Sequence, residues 1–256
     1  MKMLKLGYKI KKLLIYVQYD SSEYWKARAK EPQQAAVLWT NQEYNQLYRN
    51  IQVNIIKKYL SNLKDNSLIL DIGCGIGIVA KMIIENHPTI QVDAVDFPEM
   101  IQVAKNQNLL ERINYVENSA EKYLDTNKKY HLIVSSGCFS AIRNIEMMKQ
   151  AVLNSTKMID KNGIILMIDP FHKWNYLARV KFNSKQMISM MKELGFELVE
   201  KNGVLFWPYR DLLANSKYNG TVLERKFQQG EWLLSKLGQH FWADYKILAF
   251  RKKDDA

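Results

Sequence analysis

The stretch Leu68-Ile-Leu-Asp-Ile-Gly-Cys-Gly-Ile-Gly77 decides the fold. Its first five residues are aliphatic apart from one acid, which predicts a strand buried on both faces of a parallel sheet. The three glycines that follow can turn tightly and approach a ligand, because they carry no Cβ. The helical pattern of residues 78–85 then places a helix N-terminus, with its free N–H groups, directly after the turn. The stretch therefore predicts a strand–turn–helix unit that binds a nucleotide-like ligand.

Strands and helices alternate on both sides of this unit. Apolar runs predict further strands at residues 90–95, 113–116, 130–135, 164–168, 196–205 and 245–251. Amphipathic patterns predict helices at residues 50–63, 98–108, 145–159 and 184–194, a turn at 161–163, and a basic helical insertion at about 208–240. This alternation predicts an α/β fold: a Rossmann-like, seven-stranded, mostly parallel sheet with helices on both faces. We expect a helical N-terminal cap region at 1–65 and the Rossmann-like domain, with its insertion, at 66–256.

The composition is that of an ordinary soluble globular protein. Of the 256 residues, 47% are hydrophobic and 25% charged, which suffices for one large α/β domain with a core. No apolar run has the length of a bilayer crossing, and no signal peptide is recognisable. The two cysteines, Cys74 and Cys138, provide neither a disulfide framework nor metal-ligand spacing, so we expect no metal. These features predict a cytoplasmic protein.

Positive charge is in excess and is concentrated at the N-terminal end. The 37 Lys and Arg residues against 26 Asp and Glu give a net charge of +11, which favours anionic partners unless it reflects lysine-rich composition alone. The apolar and lysine positions of residues 1–17 fall on different faces of a helix. This basic amphipathic helix could contact an anionic membrane surface, contact an acidic substrate, or simply pack on the core.

Two features narrow the choice of ligand: the spacing of the glycines and the positions of two acidic residues. Ile78 stands where a dinucleotide fingerprint requires its third glycine, and no Lys-Ser or Lys-Thr pair follows as in a phosphate-binding loop. Asp71, just before the turn, would repel a pyrophosphate and suits a cation. Asp96, at the end of the next strand, is placed to accept hydrogen bonds from ribose hydroxyls. A ligand with a ribose, an adenine and a cationic tail is S-adenosylmethionine.

Several segments within residues 66–200 resemble the motifs of class I S-adenosylmethionine-dependent methyltransferases. They are Asp71-Ile-Gly-Cys-Gly-Ile-Gly77, Val95-Asp96-Phe97 with Met100, Asn118-Ser119-Ala120-Glu121, the fourth-strand segment 130–137, and the turn Lys161-Asn162-Gly163. The chain departs from the family pattern at Ser119, where an Asp is usual, and at His131, which replaces an acid and which we interpret as structural. The resemblance implies a cofactor site formed by Asp71, Gly73, Cys74, Gly75, Gly77, Asp96, Phe97, Met100, Ser119, Ala120, Glu121, Ser135 and Ser136.

Two residues that follow the fifth predicted strand are candidates for catalysis. Ligands of open α/β sheets bind beyond the carboxyl ends of the strands, and only one of the four histidines, His172, comes directly after such an end. His172 is therefore the candidate general base, with a loop histidine that makes a structural hydrogen bond as the alternative. Asp169 could orient this histidine, bind substrate or cap the turn. A phosphate or carboxylate acceptor would need no base.

The acceptor site is expected between the N-terminal region and the insertion, which both cover this edge of the sheet. The candidate residues are Trp25, Arg28, Trp39 and Tyr44 from the first region and Tyr209, Arg210 and Arg225 from the second. Each could instead pack in the core or lie on the solvated surface. The elements Tyr24-Trp25 and Trp39-x-Asn41-x-x-Tyr44-Asn45 also resemble bacterial methyltransferases of surface-glycan (capsule or surface polysaccharide) and small-metabolite pathways.

The sequence thus favours an O-methyltransferase for a small or glycan-linked, anionic acceptor, with S-adenosylmethionine as cofactor. A lipid or quinone acceptor, reached through the basic N-terminal helix at the membrane surface, is the nearest alternative. Nucleic acid is not the expected partner, because neither an Asn-Pro-Pro-Tyr motif nor a separate RNA-binding module is present. A non-catalytic binding protein that keeps the cofactor fold is disfavoured by the presence of both Asp71 and Asp96.

Overall fold

The computed structural model describes residues 21–108, 110–142, 144–172 and 182–253. The predicted helix at residues 1–17 lies outside these ranges. Within them, the strands are β1 (Leu68–Ile72), β2 (Gln91–Asp96), β3 (Ile113–Glu117), β4 (Tyr130–Ser136), β5 (Ile159–Asp169), β6 (Phe196–Phe206) and β7 (Ala243–Lys252). They form one seven-stranded sheet in the order β3-β2-β1-β4-β5-β7-β6. Strands β1 to β5 are parallel and β7 runs antiparallel to both of its neighbours, which confirms the predicted fold class.

Helices cover both faces of the sheet. In the described ranges they are α1 (Ser21–Arg28), α2 (Gln42–Leu60), α3 (Ile78–Asn86), α4 (Pro98–Gln107), α5 (Ile145–Met158), α6 (Ser184–Glu193), α7 (Trp207–Leu213), α8 (Gly220–Leu237) and α9 (Gln239–Trp242). Side chains of α2, α3 and α8 pack in one core cluster with β1, whereas α5 and α6 pack in a second cluster on the other face. None of the helices in the described ranges is long and apolar enough to cross a membrane.

Helix α2 differs from its prediction because polar residues occupy its buried face. It begins at Gln42, with the side chain of Asn41 capping the Tyr44 amide, rather than at residue 50. Asn45 and Arg49 of its added turns are buried, as is Gln52 further on, so the apolar periodicity that marks a helix is missing at the start of α2. The buried polar groups are hydrogen-bonded, as burial requires.

The predicted turn at 161–163 is a bulge inside β5. Tyr130 of β4 pairs with Ile159, whereas Leu132, only two residues further on, pairs with Ile164. Three extra residues of β5 therefore loop out of the ladder, and the strand is one continuous element of 11 residues. At the neighbouring strand start, the backbone N–H of Leu68 donates to His131 Nδ1 over 3.2 Å, which agrees with the structural role predicted for this histidine.

The N-terminal segment before β1 is fastened across the glycine turn. The Arg28 guanidinium donates hydrogen bonds to the carbonyl oxygens of Ala35, Ala36 and Leu38, which folds residues 28–38 into a compact loop. Ala36 is fully buried against Ile76 of the glycine turn, in a cluster that Trp25 helps to cover. We call residues 25–38 the cap. The cap and the carboxyl ends of β1, β2 and β4 enclose the candidate site.

Candidate cofactor and acceptor site

The glycine turn has a backbone that only glycine adopts easily. Gly73, Gly75 and Gly77 have φ angles of +73°, +57° and +79°, in the left-handed region where a Cβ is strained. The N–H groups of Gly73 and Cys74 both donate to the carbonyl oxygen of Val95, over 2.8 and 3.0 Å. These bonds tie the turn to the end of β2. Asp71 of β1 and Asp96 of β2 are therefore held close to each other.

The glycines also allow neighbouring segments to pack closely. A Cβ on Gly73 would lie 2.3 Å from the Cβ of Cys138, in the loop after β4, and one on Gly75 would lie 2.6 Å from Cγ1 of Val37, in the cap. Real Cβ atoms do not approach so closely. The glycine pattern predicts close approach of a ligand, and close contact with the protein itself is a second reason for these glycines.

Asp96 lies over the turn with both carboxylate oxygens accepting backbone hydrogen bonds. Its Oδ2 accepts from the Gly75 amide and its Oδ1 from the Phe97 amide, each over 2.7 Å. Burial raises the pKa of Asp96 to about 6, although both hydrogen bonds oppose the rise. Each oxygen has further lone pairs, so the carboxylate can also accept hydrogen bonds from two ribose hydroxyls.

Asp71 is a buried carboxyl group without a hydrogen bond. The residue is 1% exposed, and neither Oδ1 nor Oδ2 has a hydrogen-bond partner in the described part of the chain. Burial, and next the charge of Asp96, raise the pKa of Asp71 to about 7, while the charge of Arg49 opposes the rise. A buried carboxylate of this kind costs free energy until a cation approaches it.

The adenine segment offers a second polar atom without a partner. The Ser119 hydroxyl is buried and makes no hydrogen bond within the described residues. The Asn118 amide donates to the carbonyl oxygen of Asp96 over 3.0 Å, which holds this segment beside the ribose position. Of the five buried polar side-chain atoms without a hydrogen bond in the described ranges, three belong to Asp71 and Ser119. Asp71 is therefore suited to pair with a cationic group of a ligand, and Ser119 to hydrogen-bond the polar edge of a ring.

The other predicted cofactor residues are placed around these groups. Met100 is buried in the cluster that includes Trp25 and Ile76, and Ala120 and Glu121 are partly buried after Ser119. The Ser135 hydroxyl donates to Asp169 over 2.9 Å, and Ser136 accepts a hydrogen bond from the Gln52 amide over 2.5 Å. The hydroxyl of Ser136 is thus part of a network that begins on α2.

Arg49 is a site residue that the sequence analysis missed. Its guanidinium is buried, and it donates to Gln52 Oε1 over 2.6 Å and to Gln34 Oε1 over 3.4 Å. No ion pair with a carboxylate satisfies it among the described residues, and burial lowers its pKa. It also borders a cavity of about 450 Å³ between α2, α3 and α4. Gln52 links Arg49 to Ser136 through hydrogen bonds. A buried cation at this position is suited to an anionic group of a ligand.

Asp169 holds the loop after β4 and is not the partner of His172. The Asp169 carboxylate, which is fully buried, accepts hydrogen bonds from the Ser135 hydroxyl, the Ser140 amide and the Ser140 hydroxyl, over 2.8 to 3.0 Å. Burial raises its pKa to about 6 against these hydrogen bonds. These contacts fix the loop after β4, a role that differs from the three predicted for Asp169, namely orienting His172, binding substrate and capping the following turn.

Asp244 of β7 is the carboxylate that joins two of the predicted residues. His172 Nε2 lies 3.1 Å from Asp244 Oδ1, and Arg210 contacts the same carboxylate, with Nε 2.7 Å from Oδ2 and Nη2 2.9 Å from Oδ1. Burial raises the pKa of Asp244, but the hydrogen bonds and charges of His172 and Arg210 outweigh it and hold the pKa below its usual value. Because an ionised carboxylate only accepts, Nε2 of His172 carries the proton and Nδ1 is the nitrogen that can accept one.

A group of packed aromatic rings adjoins this His172–Asp244–Arg210 cluster through Arg210. The Trp39 ring packs edge-on against Tyr44 and Tyr245, with centroids 5.4 and 6.1 Å apart, and the Arg210 guanidinium lies 6.0 Å from its centre. Tyr48 packs against Tyr245 at 5.1 Å. We call these four rings, together with His172, Asp244 and Arg210, the acceptor cluster. It brings together four of the predicted residues: His172, Trp39, Tyr44 and Arg210.

The other predicted acceptor residues lie apart from this cluster. Trp25 and Arg28 belong to the cap, where Arg28 donates to backbone carbonyls. Tyr209 packs in the core beneath the insertion, against Phe206. Arg225 is exposed on α8, whereas Leu223, two residues earlier on the same helix, faces the core. For these four residues the structure supports packing or a solvated surface rather than contact with the acceptor cluster.

Comparison with known proteins agrees with this geometry. Residues 69–163, from β1 to the bulge of β5, match the family model of a methyltransferase domain. The match includes Asp71, the glycine turn and Asp96, so this part of the chain is similar to the methyltransferase-domain family. S-adenosylmethionine, the cofactor of that family, matches the donor set described above: an acid for the ribose, a buried acid for a cation, and a polar adenine segment. No cluster of metal-ligating side chains is present in the described ranges.

Relatives of this methyltransferase domain differ in their named reactions. Malonyl-(acyl-carrier protein) O-methyltransferase 2 of Ilyobacter polytropus is 32% identical, over 42% of this chain and 40% of its own length. The ubiquinone biosynthesis O-methyltransferase of Rickettsia conorii is 29% identical, over 38% of this chain and 33% of its own. The chain thus spans less than half the length of these curated relatives.

A solved methyltransferase structure extends the likeness in fold to nearly the whole chain. The N-methyltransferase NodS from Bradyrhizobium japonicum, in complex with S-adenosylhomocysteine, has a TM-score of 0.60 at 16% identity. The match covers 92% of this chain and 100% of that one. At this identity the likeness establishes the fold, and the acceptor has to be argued from the site.

Proposed function

We propose that this chain is an S-adenosylmethionine-dependent O-methyltransferase that acts on a small or glycan-linked, anionic acceptor in the cytoplasm. The observation that carries the proposal is the acceptor cluster: a histidine that can accept a proton, held by a buried carboxylate, beside aromatic rings at the carboxyl edge of the sheet. The net charge of +11 supports an anionic acceptor.

The residues around the glycine turn hold the cofactor in this proposal. Bound S-adenosylmethionine supplies an activated methyl group on a sulfonium, so that the protein has mainly to align the acceptor oxygen with it. Asp96 accepts hydrogen bonds from the ribose, Asp71 faces the cationic amino acid end, and Ser119 contacts the adenine. Arg49 is suited to the carboxylate of the same ligand, since its guanidinium has only amide partners now.

His172 acts on the acceptor in this proposal. When the acceptor is a sugar hydroxyl, Nδ1 of His172 takes its proton as the oxygen–carbon bond forms, and Asp244 stabilises the imidazolium. When the acceptor is a phosphate or carboxylate oxygen, no proton has to leave and His172 only orients it. The rings of Trp39 and Tyr245 are suited to the apolar face of a sugar, which aromatic side chains commonly contact.

Two lines of comparison support transfer to oxygen. Both curated relatives described above are named as O-methyltransferases, and the aromatic elements around Trp25 and Trp39 resemble those of surface-glycan methyltransferases. We therefore propose a role in capsule or surface polysaccharide biosynthesis. A quinone or lipid acceptor is the second candidate, favoured by the name of the Rickettsia relative and by apolar residues exposed on the insertion.

Incubation with methyl-labelled S-adenosylmethionine tests the proposed acceptor class. The full chain is offered uronic acids and sugar phosphates, a reduced quinone in vesicles, or RNA, and the labelled product is identified by mass spectrometry. We expect label on an oxygen of the sugar acid or sugar phosphate, and no product with the Asp96→Ala variant. Labelled RNA or quinone would contradict the acceptor class. Absence of every product would contradict the enzymatic function and favour a non-catalytic binding protein.

A further inference from the structure

Exposed apolar side chains are concentrated on the insertion between β6 and β7. Ten large hydrophobic residues are exposed in the described ranges, and seven of them lie between residues 207 and 241. These seven are Trp207, Leu212, Tyr218, Val222, Trp232, Leu237 and Phe241. Scattered exposed apolar residues are normal on a soluble domain, but a concentration on one segment indicates a surface that contacts something else.

Four neighbouring residues of the insertion form a continuous patch. Trp207 stacks on Trp242, with ring centroids 6.4 Å apart and planes at 13°, and Phe241 packs edge-on against Trp242 at 5.4 Å. Leu237 ends α8 one residue before Gly238, whose carbonyl oxygen accepts the Phe241 amide. We call Trp207, Leu237, Phe241 and Trp242 the aromatic patch. Phe241 is 56% and Leu237 51% exposed.

The aromatic patch is anchored from beneath. Trp242 also packs against Phe206 of the core at 6.1 Å. Nζ of the buried Lys246 donates to the carbonyl oxygens of His240, Phe241 and Ala243, over 2.5 to 3.0 Å. The exposed rings are therefore fixed in one arrangement, which lowers the entropic cost of docking them on a partner.

Three exposed lysines lie next to residues that contact or belong to the patch region. His240 of α9 is hydrogen-bonded to the Ser184 hydroxyl and the Asn202 carbonyl oxygen, which brings the adjacent Lys185 and Lys201 to this end of the molecule. Lys236 directly precedes Leu237. All three lysines are exposed, and none forms an ion pair with another residue of the described ranges. Tryptophan and phenylalanine rings bordered by lysines are the composition of segments that lie in a bilayer interface.

We propose that the aromatic patch and these three lysines form a docking surface for an anionic phospholipid bilayer. The side chains of Trp207, Leu237 and Phe241 enter the headgroup region while the lysine ammonium groups face anionic headgroups. Trp207 and Arg210 lie on successive turns of α7, so docking presents the acceptor cluster to the membrane surface. The surface includes none of residues 1–17, and its assignment does not depend on the proposed reaction.

Co-sedimentation with vesicles tests the docking surface. The full chain is mixed with phosphatidylcholine vesicles that contain or lack phosphatidylglycerol, at low and at high salt. We expect binding only when phosphatidylglycerol is present, weakened by salt because the lysines are exposed. The double variant Leu237→Ser/Phe241→Ser should lower vesicle affinity by about tenfold, since it removes two of the apolar side chains that enter the interface.

Met147→Ser provides the matched control. Met147 is 40% exposed on α5, on the opposite face of the sheet, and its replacement should leave vesicle affinity unchanged. Retained affinity for S-adenosylhomocysteine in the double variant shows that its fold is intact. Equal binding to vesicles without phosphatidylglycerol, or undiminished binding of the double variant, would overturn the proposal. So would a dimer in analytical ultracentrifugation that the double variant dissociates, because a second copy would then cover the patch.

Discussion

Asp71→Asn is expected to stabilise the ligand-free protein at pH 8 and at the same time to weaken binding of S-adenosylhomocysteine. The rise of the Asp71 pKa from 3.8 to about 7 corresponds to a penalty on the buried carboxylate of ~4 kcal/mol. An asparagine removes this charge, but its amide is itself unsatisfied, so we expect a net gain of about 1–2 kcal/mol in the free energy of unfolding. The ligand's ammonium group loses its charged partner, which should lower affinity by about 10- to 100-fold.

The sign of this effect depends on pH. Between about pH 4 and pH 7 folded Asp71 binds a proton that the unfolded chain has released, so wild-type stability falls as the pH rises through this window. Asp96 and Asp169, each with a pKa of about 6, act in the same direction. At pH 5 folded Asp71 is protonated and the penalty on wild type is mostly relieved, so the variant should lose its stability advantage and become the less stable of the two.

Denaturant unfolding at pH 5 and pH 8, with calorimetric titration of S-adenosylhomocysteine, measures both effects. Asp65→Asn is a suitable control, because Asp65 is exposed near the opposite end of β1. A variant Asp71→Asn that is less stable than wild type at pH 8 would show that the carboxylate stabilises the ligand-free fold. Unchanged affinity for the ligand would show that this acid does not face its ammonium group.

His172→Ala is expected to lower turnover by about 100-fold with a hydroxyl acceptor, since general base catalysis contributes at least that much. Asp244→Asn should lower it by about tenfold, because the amide can donate to His172 and disturb the tautomer that leaves Nδ1 able to accept a proton. Neither change touches the glycine turn, so affinity for S-adenosylhomocysteine should stay at the wild-type value. The turnover is measured with the acceptor that is labelled in the methyl-transfer assay.

Asp211→Asn separates the acceptor cluster from the surrounding surface charge. Asp211 contacts Arg210, as Asp244 does, but its side chain is 58% exposed and it has no contact with His172. Its replacement should leave turnover within about twofold of wild type, since exposed ion pairs contribute little. Full activity of His172→Ala with a hydroxyl acceptor would reject the base. A loss in Asp211→Asn equal to that in Asp244→Asn would reject the specific role of Asp244.

The sheet and the meeting of its acidic strand ends could be predicted because their signals are local. An apolar run that ends in Asp71 and three glycines, and a second that ends in Asp96, define two parallel strand ends within 30 residues of sequence. Parallel strands place such ends at one edge, so the meeting of Asp96 with Gly75 follows from the pattern. The helical insertion was likewise visible as a basic helical segment between two strands.

The partner of His172 could not be predicted, because it comes from a distant strand. Asp244 lies 72 residues further on, and it reaches His172 only because β7 returns antiparallel beside β5. Asp169 was nearer in sequence, but its carboxylate is used by Ser135 and Ser140. Arg49 was not predicted for a different reason. A charged residue on a helix usually faces solvent, and the buried partners of Arg49 are not evident from the sequence.

Calorimetric titration of S-adenosylhomocysteine into the full chain and its Asp96→Ala variant tests the central claim most directly. The claim is that the glycine turn and the two acids at the strand ends bind an adenosyl cofactor. We predict one binding site per wild-type chain, and at least a tenfold weaker affinity in the variant, because the carboxylate that accepts from the ribose hydroxyls is removed. No binding to the wild-type chain, or equal binding to both proteins, would contradict the account.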